Sequence, residues 1–275
     1  MNIHRICFFC VSCLPMKTFK LIIVFCCCFY SANLFAQSPQ AIEADLLRIF
    51  KRVNYYGTHK KEWKAIDSLE KMNKIFGFKL KYYTSKYPET INYPFTELVK
   101  ERVVIATSAD GLFRTYSWDT RLGSTGYDFD NVLQYKVNGK IFSSLKMDSV
   151  GKKHNPVYWY SKIYTLRANS KVYYLAAYNS VRSSIDATQG IQFFTIEKDK
   201  LNGTVLLVKT QSGMHSKLYF DYNFLSVVNM KVIPTIYYDA KTQSIHSPLV
   251  NAKREVTRDY IVYKFTGKYF ERVKN

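Results

Sequence analysis

Cysteine is missing from most of this 275-residue sequence. All six cysteines lie within the first 36 residues, at Cys7, Cys10, Cys13, Cys26, Cys27 and Cys28. The rest of the chain therefore cannot form a disulfide, a thiol nucleophile or a cysteine-ligated metal site. Such a chain depends on its hydrophobic core for stability, and the residues after position 36 are numerous enough to bury one.

Recognisable catalytic and metal-binding motifs are also lacking. Beyond residue 36 the histidines are widely spaced, at His59, His154, His215 and His246, so none forms a local metal-ligand pair. No nucleophile elbow of the Gly-x-Ser-x-Gly type occurs. The acidic segment Asp128–Asn131 has Val132 and Leu133 where a calcium loop needs an oxygen ligand and a glycine. We therefore predict neither a metal nor a cofactor.

The first 36 residues predict a cleaved signal peptide. Lys17 and Lys20 precede the apolar run Leu21–Phe29, and small residues lead to a cleavage site near Ala36. The run is shorter than the roughly 20 residues that a membrane-spanning helix needs. We therefore expect export to the periplasm or the extracellular space, without a transmembrane helix in the mature chain.

Two details of this leader stay open. Translation could start at Met1 or at Met16, because a basic segment and an apolar run follow the second methionine as well. Cleavage before Cys26 with acylation of that cysteine would make a lipoprotein. Phe25 argues against that alternative, since a lipoprotein site has small residues at this position.

Acidic residues are scarce relative to basic ones. The chain has 40 Lys and Arg against 21 Asp and Glu, and the leader holds three of the basic residues and no acid, so the mature part carries +16. Such a charge favours anionic partners such as acidic polysaccharide or lipid headgroups. Export argues against nucleic acid. The alternative is that the charge serves only solubility, because the basic residues are scattered along the chain.

Aromatic residues are abundant, with 23 tyrosines in the chain. Tyrosine packs well on a pleated sheet while its hydroxyl stays near water. This composition favours a β structure, and it also suits carbohydrate binding.

Residues 37–95 predict a helical N-terminal segment. Ser38 and Pro39 form a typical helix start. The apolar positions Ile42, Leu46, Phe50 and Val53 then lie on one helical face. We predict a turn over Asn54–Thr58 and a second helix over Lys60–Phe76, with Trp63 in its buried stripe. Gly77 either ends this helix or is bridged by it, because Lys79–Lys86 can also be helical.

From about Arg102 the apolar period changes to two, which indicates strands. We predict strands at Val103–Thr107, Leu112–Trp118, Val132–Tyr135, Lys140–Leu145, Tyr158–Leu166, Lys171–Tyr178, Ile191–Ile196, Val205–Lys209, Lys217–Tyr222, Ile233–Tyr238, Ser244–His246, Tyr260–Phe265 and Tyr269–Val273. Short turns such as Asn138-Gly139 connect them. The predicted fold is α+β and mostly β: a helical pair, then an antiparallel β-hairpin domain over residues 96–275 that is propeller-like or sandwich-like, with loose internal repeats.

One segment resembles a blade of a WD-type β-propeller. The residues are Ser108-Ala109-Asp110-Gly111-Leu112-Phe113 followed by Ser117-Trp118-Asp119. The spacing elsewhere departs from that pattern, and no Gly-His dipeptide occurs. The whole mature chain also resembles uncharacterised exported β-rich proteins of Gram-negative bacteria, a resemblance that implies no established activity and carries no site residues.

Two predicted loops, Asp119–Asn131 and Asn179–Gly190, are longer than a hairpin needs. Long polar loops on a rigid sheet often carry function. The candidate binding residues are Trp118, Asp119, Arg121, Tyr127, Arg182 and Asp186.

The sequence supports three functional hypotheses. We expect a binding or interaction module of the cell envelope that recognises an anionic or glycan partner. The alternative is a hydrolase of envelope or dietary glycan that uses a carboxylate pair, for which Asp119 and Asp221 are the better candidates because they adjoin aromatic strand residues. A structural or assembly partner is the third hypothesis.

Overall fold

The computed structural model describes residues 37–147 and 158–273. The predicted leader, its cleavage site and all six cysteines lie outside these residues, as does His154.

The N-terminal helices confirm the predicted buried face. Helix α1 spans Pro39–Thr58 and α2 spans Ala65–Lys86, followed by a 3-10 turn at Pro88–Ile91 and the short helix α3 at Thr96–Lys100. The four predicted apolar positions of α1 are all buried. The predicted turn over residues 54–58 is wrong, because α1 continues through it. Helix α2 starts five residues later than predicted, and it continues through Gly77 to Lys86, which is the predicted alternative in which Gly77 is bridged.

Trp63 was predicted to be buried, and this prediction is wrong. Its side chain is 90 % exposed, and the Lys64 ammonium lies 5.8 Å from its ring centre. The reason is the late start of α2: Lys64 adopts a left-handed backbone (φ 57°), so Trp63 belongs to the connecting loop. Leu69 and Phe76, further along the same stripe, are fully buried as predicted.

The strands form three sheets within the described residues. The first sheet has β1 (Val104–Thr107), β2 (Phe113–Asp119), β3 (Phe129–Val137) and β4 (Lys140–Lys146) in that order. The central sheet has the order β11-β7-β6-β5, from β5 (Trp159–Ala168), β6 (Lys171–Ser183), β7 (Asp186–Glu197) and β11 (Lys217–Tyr222), while β8 (Lys200–Asn202) pairs with the end of β7. The outer sheet has the order β10-β9-β15-β14-β13-β12, from β9 (Val208–Thr210), β10 (Gly213–His215), β12 (Tyr237–Asp239), β13 (Ser244–Val250), β14 (Val256–Phe265) and β15 (Phe270–Arg272).

Most predicted strands are present, with one large correction. The predicted loop Asn179–Gly190 does not exist, because β6 and β7 continue through it to a turn at Ser184-Ile185. The polar residues here, such as Ser180, Thr188 and Gln189, are buried. Their polarity made the strand ends resemble a loop, whereas burial on both faces of the sheet holds them in strands. The short strands β8 and β10 are not among the predicted strands.

The layers pack as a sandwich. The helices cover one face of the first sheet. Phe50 of α1 and Phe76 of α2 pack there in one buried cluster with Tyr116 and Trp118 of β2. Its other face packs on the central sheet through Phe113, Leu133, Tyr174 and Phe194. The opposite face of the central sheet packs on the outer sheet. The buried residues of this interface are Leu175, Ile191, Phe193, Leu207, Val208, Ile245 and Phe270. The prediction of a mostly β α+β fold is therefore confirmed, in its sandwich-like form.

A buried amide ties α2 to the first sheet. The Asn73 side chain donates to the carbonyl oxygens of Leu69 (3.0 Å) and Thr120 (2.9 Å). Its Oδ1 accepts from Trp118 Nε1 at 3.1 Å. Each polar group of Asn73 thus has a partner, which a fully buried amide requires.

Gly190 allows the central sheet to hold a buried tyrosine. A Cβ atom at this position would lie 2.5 Å from the Tyr178 ring and 2.8 Å from the Leu218 carbonyl oxygen. Gly190→Ala should therefore lower the free energy of unfolding by about 1–3 kcal/mol, as overpacking does. Urea denaturation followed by circular dichroism would measure the loss.

Gly139→Ala is the matched control. An added Cβ there meets nothing within 4 Å, although the backbone is left-handed (φ +77°). It should cost only the backbone strain, roughly 1–2 kcal/mol, and thus less than the added clash at Gly190. Equal losses for the two variants would contradict the packing explanation.

Candidate functional site

Trp118, the first predicted binding residue, lies in the core. Its side chain is fully buried, and its ring packs edge-on against Phe76 at 5.0 Å. The strand alternation explains this position, because β2 directs Trp118 toward the helices. Trp118 therefore cannot contact a ligand at the surface.

Asp119 and Arg121 anchor the β2–β3 loop to α1. Asp119 Oδ1 accepts a hydrogen bond from the Arg121 backbone N–H at 2.9 Å, which forms a local turn. Arg121 Nε donates to Asn54 Oδ1 at 3.2 Å. The Arg121 side chain also packs on Gly57, where a Cβ atom would be too close. These contacts assign both residues to loop attachment.

Tyr127, Arg182 and Asp186 come together at one end of the sandwich. The Tyr127 backbone N–H donates to the Val181 carbonyl at 2.9 Å, so the β2–β3 loop runs along the β6–β7 hairpin. Arg182 binds Asp186 through Nε (2.7 Å) and Nη2 (2.8 Å). Arg254 Nη2 binds the same carboxylate at 3.1 Å. The β2–β3 loop therefore lies beside the β6–β7 hairpin, which occupies the place of the second predicted loop.

The carboxylates at this end are held by cations. Arg182 Nη2 also reaches Asp221 Oδ1 at 3.4 Å, and Thr188 donates to the same Asp221 oxygen. The hydrogen bonds from Arg182, and then those from Arg254, hold the pKa of the Asp186 carboxyl below its usual range. A general acid in glycoside hydrolysis needs a raised pKa instead. Asp186 is therefore unsuited to that role.

A large groove lies at the opposite end of the same strands. It has a volume of about 1190 Å³ and runs between the first and central sheets. Three two-residue turns meet there: Asn138-Gly139, Asn169-Ser170 and Lys198-Asp199. All six residues have positive φ, between 47° and 77°, which defines turns of type I′. These turns match the strand twist, so they fix where each hairpin ends.

Four lysines line this groove, which we call the basic groove. They are Lys136, Lys171, Lys198 and Lys200. The lining includes one carboxylate, Glu197, whose Oε1 lies 3.4 Å from Lys171 Nζ. Lys198 holds a left-handed backbone, which costs a non-glycine residue roughly 1–2 kcal/mol.

The remaining lining of the basic groove is mixed. Leu112, Val172 and Ile196 supply apolar surface, and the other contributors are Val137, Asn138, Gly139, Ser170, Tyr174, Thr195 and Asn202. Asn138 Nδ2 donates to Asp199 Oδ1 at 3.2 Å, which ties two of the three turns together. The groove thus presents ammonium groups, neutral hydrogen-bonding groups and apolar strips side by side.

The sequence hypothesis did not include the basic groove, because its lysines are 64 residues apart at the extremes. No continuous block of basic residues in the sequence indicates the groove. One signal was nevertheless present: a lysine directly follows each of the three turns, at Lys140, Lys171 and Lys200. Once the turns are known to share one end of the sandwich, these lysines must lie near one another.

The described histidines lie apart from one another in separate contacts. His59 stacks on Tyr55 at 4.2 Å, and His246 stacks on Tyr237 at 4.6 Å. Across residues 37–147 and 158–273, no three His, Asp or Glu side chains converge on a possible metal position. None of the helices there is long and apolar enough to cross a bilayer.

Comparisons with protein-family models, curated proteins and solved structures gave no match for this chain. The segment that resembles a WD-type blade forms the turn between β1 and β2 and strand β2 itself, and in the turn the Ser108 hydroxyl donates to Asp110 Oδ1 at 2.6 Å.

The Arg182–Asp186 pair predicts a pH-dependent contribution to stability. The folded-state pKa of Asp186 lies below that of the unfolded chain, so the contribution is complete above about pH 4 and is lost as pH falls through the folded-state value. The difference in urea midpoint between wild type and Asp186→Asn should therefore shrink at acidic pH. A difference between wild type and Asp186→Asn that stays the same from neutral to acidic pH would contradict the assignment.

Proposed function

We propose that this chain is a binding module that holds an acidic glycan in the basic groove. The observation that carries this proposal is the convergence of four lysines around one large groove, against the described carboxylates of Glu197 in its lining and Asp199 in the adjoining turn. A net positive cleft raises the local concentration of anionic ligands and strengthens their binding.

The neutral part of the lining favours a glycan among the possible polyanions. Asn138, Ser170, Thr195 and Asn202 can exchange hydrogen bonds with sugar hydroxyls. The apolar strips of Leu112 and Ile196 suit the C–H faces of sugar rings. Ligand sites in proteins commonly combine such apolar surface with a few polar groups that fix orientation.

The composition of the mature chain supports the same class of partner. Its net charge of +16 follows from the sequence, and the predicted leader would export it to a compartment where acidic envelope polysaccharides occur. Binding would then depend on electrostatic attraction that salt screens.

Binding without cleavage is the better-supported activity. Glycoside hydrolysis by the usual route needs two carboxyl groups on either side of the scissile bond. Among the described residues that line the basic groove, Glu197 is the one carboxylate, and it is paired with Lys171.

Removing two groove lysines should weaken binding. Lys198→Asn keeps a residue that tolerates the left-handed backbone, and Lys200→Gln keeps the length of the side chain. We expect the double variant to bind polygalacturonate or dextran sulfate roughly 2- to 30-fold more weakly, because each exposed charge pair contributes about 0.2–1 kcal/mol. Isothermal titration calorimetry at low salt would measure the change, with neutral dextran as the negative ligand.

Lys231→Gln with Lys241→Gln is the charge-matched control, since both lysines are exposed and lie outside the groove lining. Glu197→Gln should change the affinity in the other direction, because it removes the groove carboxylate. Equal weakening by the control pair would show that only net charge matters, and would refute the groove as the site.

A further inference from the structure

Three aliphatic side chains are exposed together at the end of the sandwich opposite the basic groove. Ile185 is 58 % exposed in the β6–β7 turn, and Leu225 and Val228 are 56 % and 54 % exposed in the segment that follows β11. The Leu225 backbone N–H donates to the Ser184 carbonyl at 3.1 Å, so the two segments are adjacent. We call these three residues the aliphatic tip.

The aliphatic tip stands on an ordered base. The 3-10 turn Phe224–Ser226 is capped by the Asn223 side chain, which accepts from the Leu225 N–H. Val227 is buried beside Val181, Ala187 and Tyr222, and Phe224 and Met230 pack on this cluster. The inward positions of the segment thus already supply its core contacts.

The outward-facing positions of this segment are unusual because they are apolar. An exposed surface segment needs no further apolar residues once its inward side is packed, yet Leu225 and Val228 face outward and Ile185 lies next to them. Neighbouring exposed apolar side chains mark interaction sites more often than isolated ones do.

Basic and aromatic groups border the aliphatic tip. Tyr127 is 56 % exposed on the β2–β3 loop beside the same hairpin, and a tyrosine with its ring and hydroxyl both accessible suits a lipid–water interface. Arg182 and Arg254 lie at this end, and Lys231 is exposed in the segment that carries Leu225. The nearby carboxylates pair with these arginines, Asp186 with both and Asp221 with Arg182.

We propose that the aliphatic tip docks on the surface of a membrane that contains anionic lipid. Aliphatic side chains on loop ends, with an aromatic residue and basic residues around them, fit the apolar and charged layers of such a surface. A stable protein interface has about 20–30 residues on each side, far more than the tip offers. The size of the tip therefore favours lipid over a folded protein partner.

This proposal assigns a surface that is separate from the basic groove. The 13 residues of β6 connect the two ends, which corresponds to roughly 40 Å along the strand. A chain docked by its aliphatic tip would therefore present its groove away from the bilayer. The two proposals can fail independently, because they rest on different residues.

The test is co-sedimentation of the full chain with vesicles of phosphatidylcholine, with and without phosphatidylglycerol. Ile185→Ser with Leu225→Ser should lower the partition coefficient by at least about tenfold, because two aliphatic side chains no longer leave water. Every variant keeps residues 1–36, so any lipid binding by the leader is common to all. Unchanged thermal unfolding would show that the variants fold.

Val99→Ser with Leu206→Ser is the matched control, since these side chains are 49 % and 59 % exposed elsewhere on the surface. We expect it to leave the partition coefficient unchanged. Equal losses in both double variants would overturn the proposal. So would a vesicle-free dimer in wild type that the tip variant abolishes, because the tip would then bind a second copy. The groove lysine variant Lys198→Asn with Lys200→Gln should still bind vesicles, which separates this result from the glycan test.

Discussion

The central sheet must bury both of its faces, and the rest of the structure is arranged around that requirement. Tyr174 and Phe194 pack against the first sheet, whereas Leu175 and Phe193 pack against the outer sheet. A sheet in this position needs a second sheet on each side. The first sheet then has an outer face of its own, which the N-terminal helices cover through Trp118 and Tyr116. No cysteine occurs in the described residues, so this layered burial holds the fold together without disulfides.

The patterns that the sequence revealed correctly are local. The spacing of Ile42, Leu46, Phe50 and Val53 predicted the buried face of α1, and the Asn138-Gly139 dipeptide predicted a hairpin, because helix period and turn chemistry depend on near neighbours. The two tryptophans Trp63 and Trp118 show the limit. The first was predicted to be buried and is exposed, and the second was predicted to bind and is buried. Their burial depends on where α2 begins and on which face of the first sheet it covers, and the residues near each tryptophan determine neither.

The candidate sites were less predictable than the fold for the same reason. Polar residues in the second half of β6 and the first half of β7 suggested a loop, because the sequence does not show that another strand pairs with each edge. Tyr127, Arg182 and Asp186 lie at the same end of the sandwich, and the two charged side chains are held in ion pairs. The lysines of the basic groove are distant in the chain, and only the shared end of three hairpins brings them together. The positions of Lys171 and Lys200 directly after type I′ turns follow from strand pairing, which local periodicity does not determine.

The last strand of the described chain has a consequence for the order in which the outer sheet can form. β15 lies between β9 and β14, parallel to the first and antiparallel to the second. Its Phe270 is fully buried, stacks near Phe193 at 5.9 Å, and donates its backbone N–H to the Leu207 carbonyl at 2.7 Å. Among the described residues, the β9–β10 hairpin joins the sheet through this strand alone. During synthesis, β9 and β10 therefore emerge some 60 residues before their neighbour in the sheet. The outer sheet therefore cannot be completed until nearly the whole chain has been synthesised. Such non-local strand pairing slows folding.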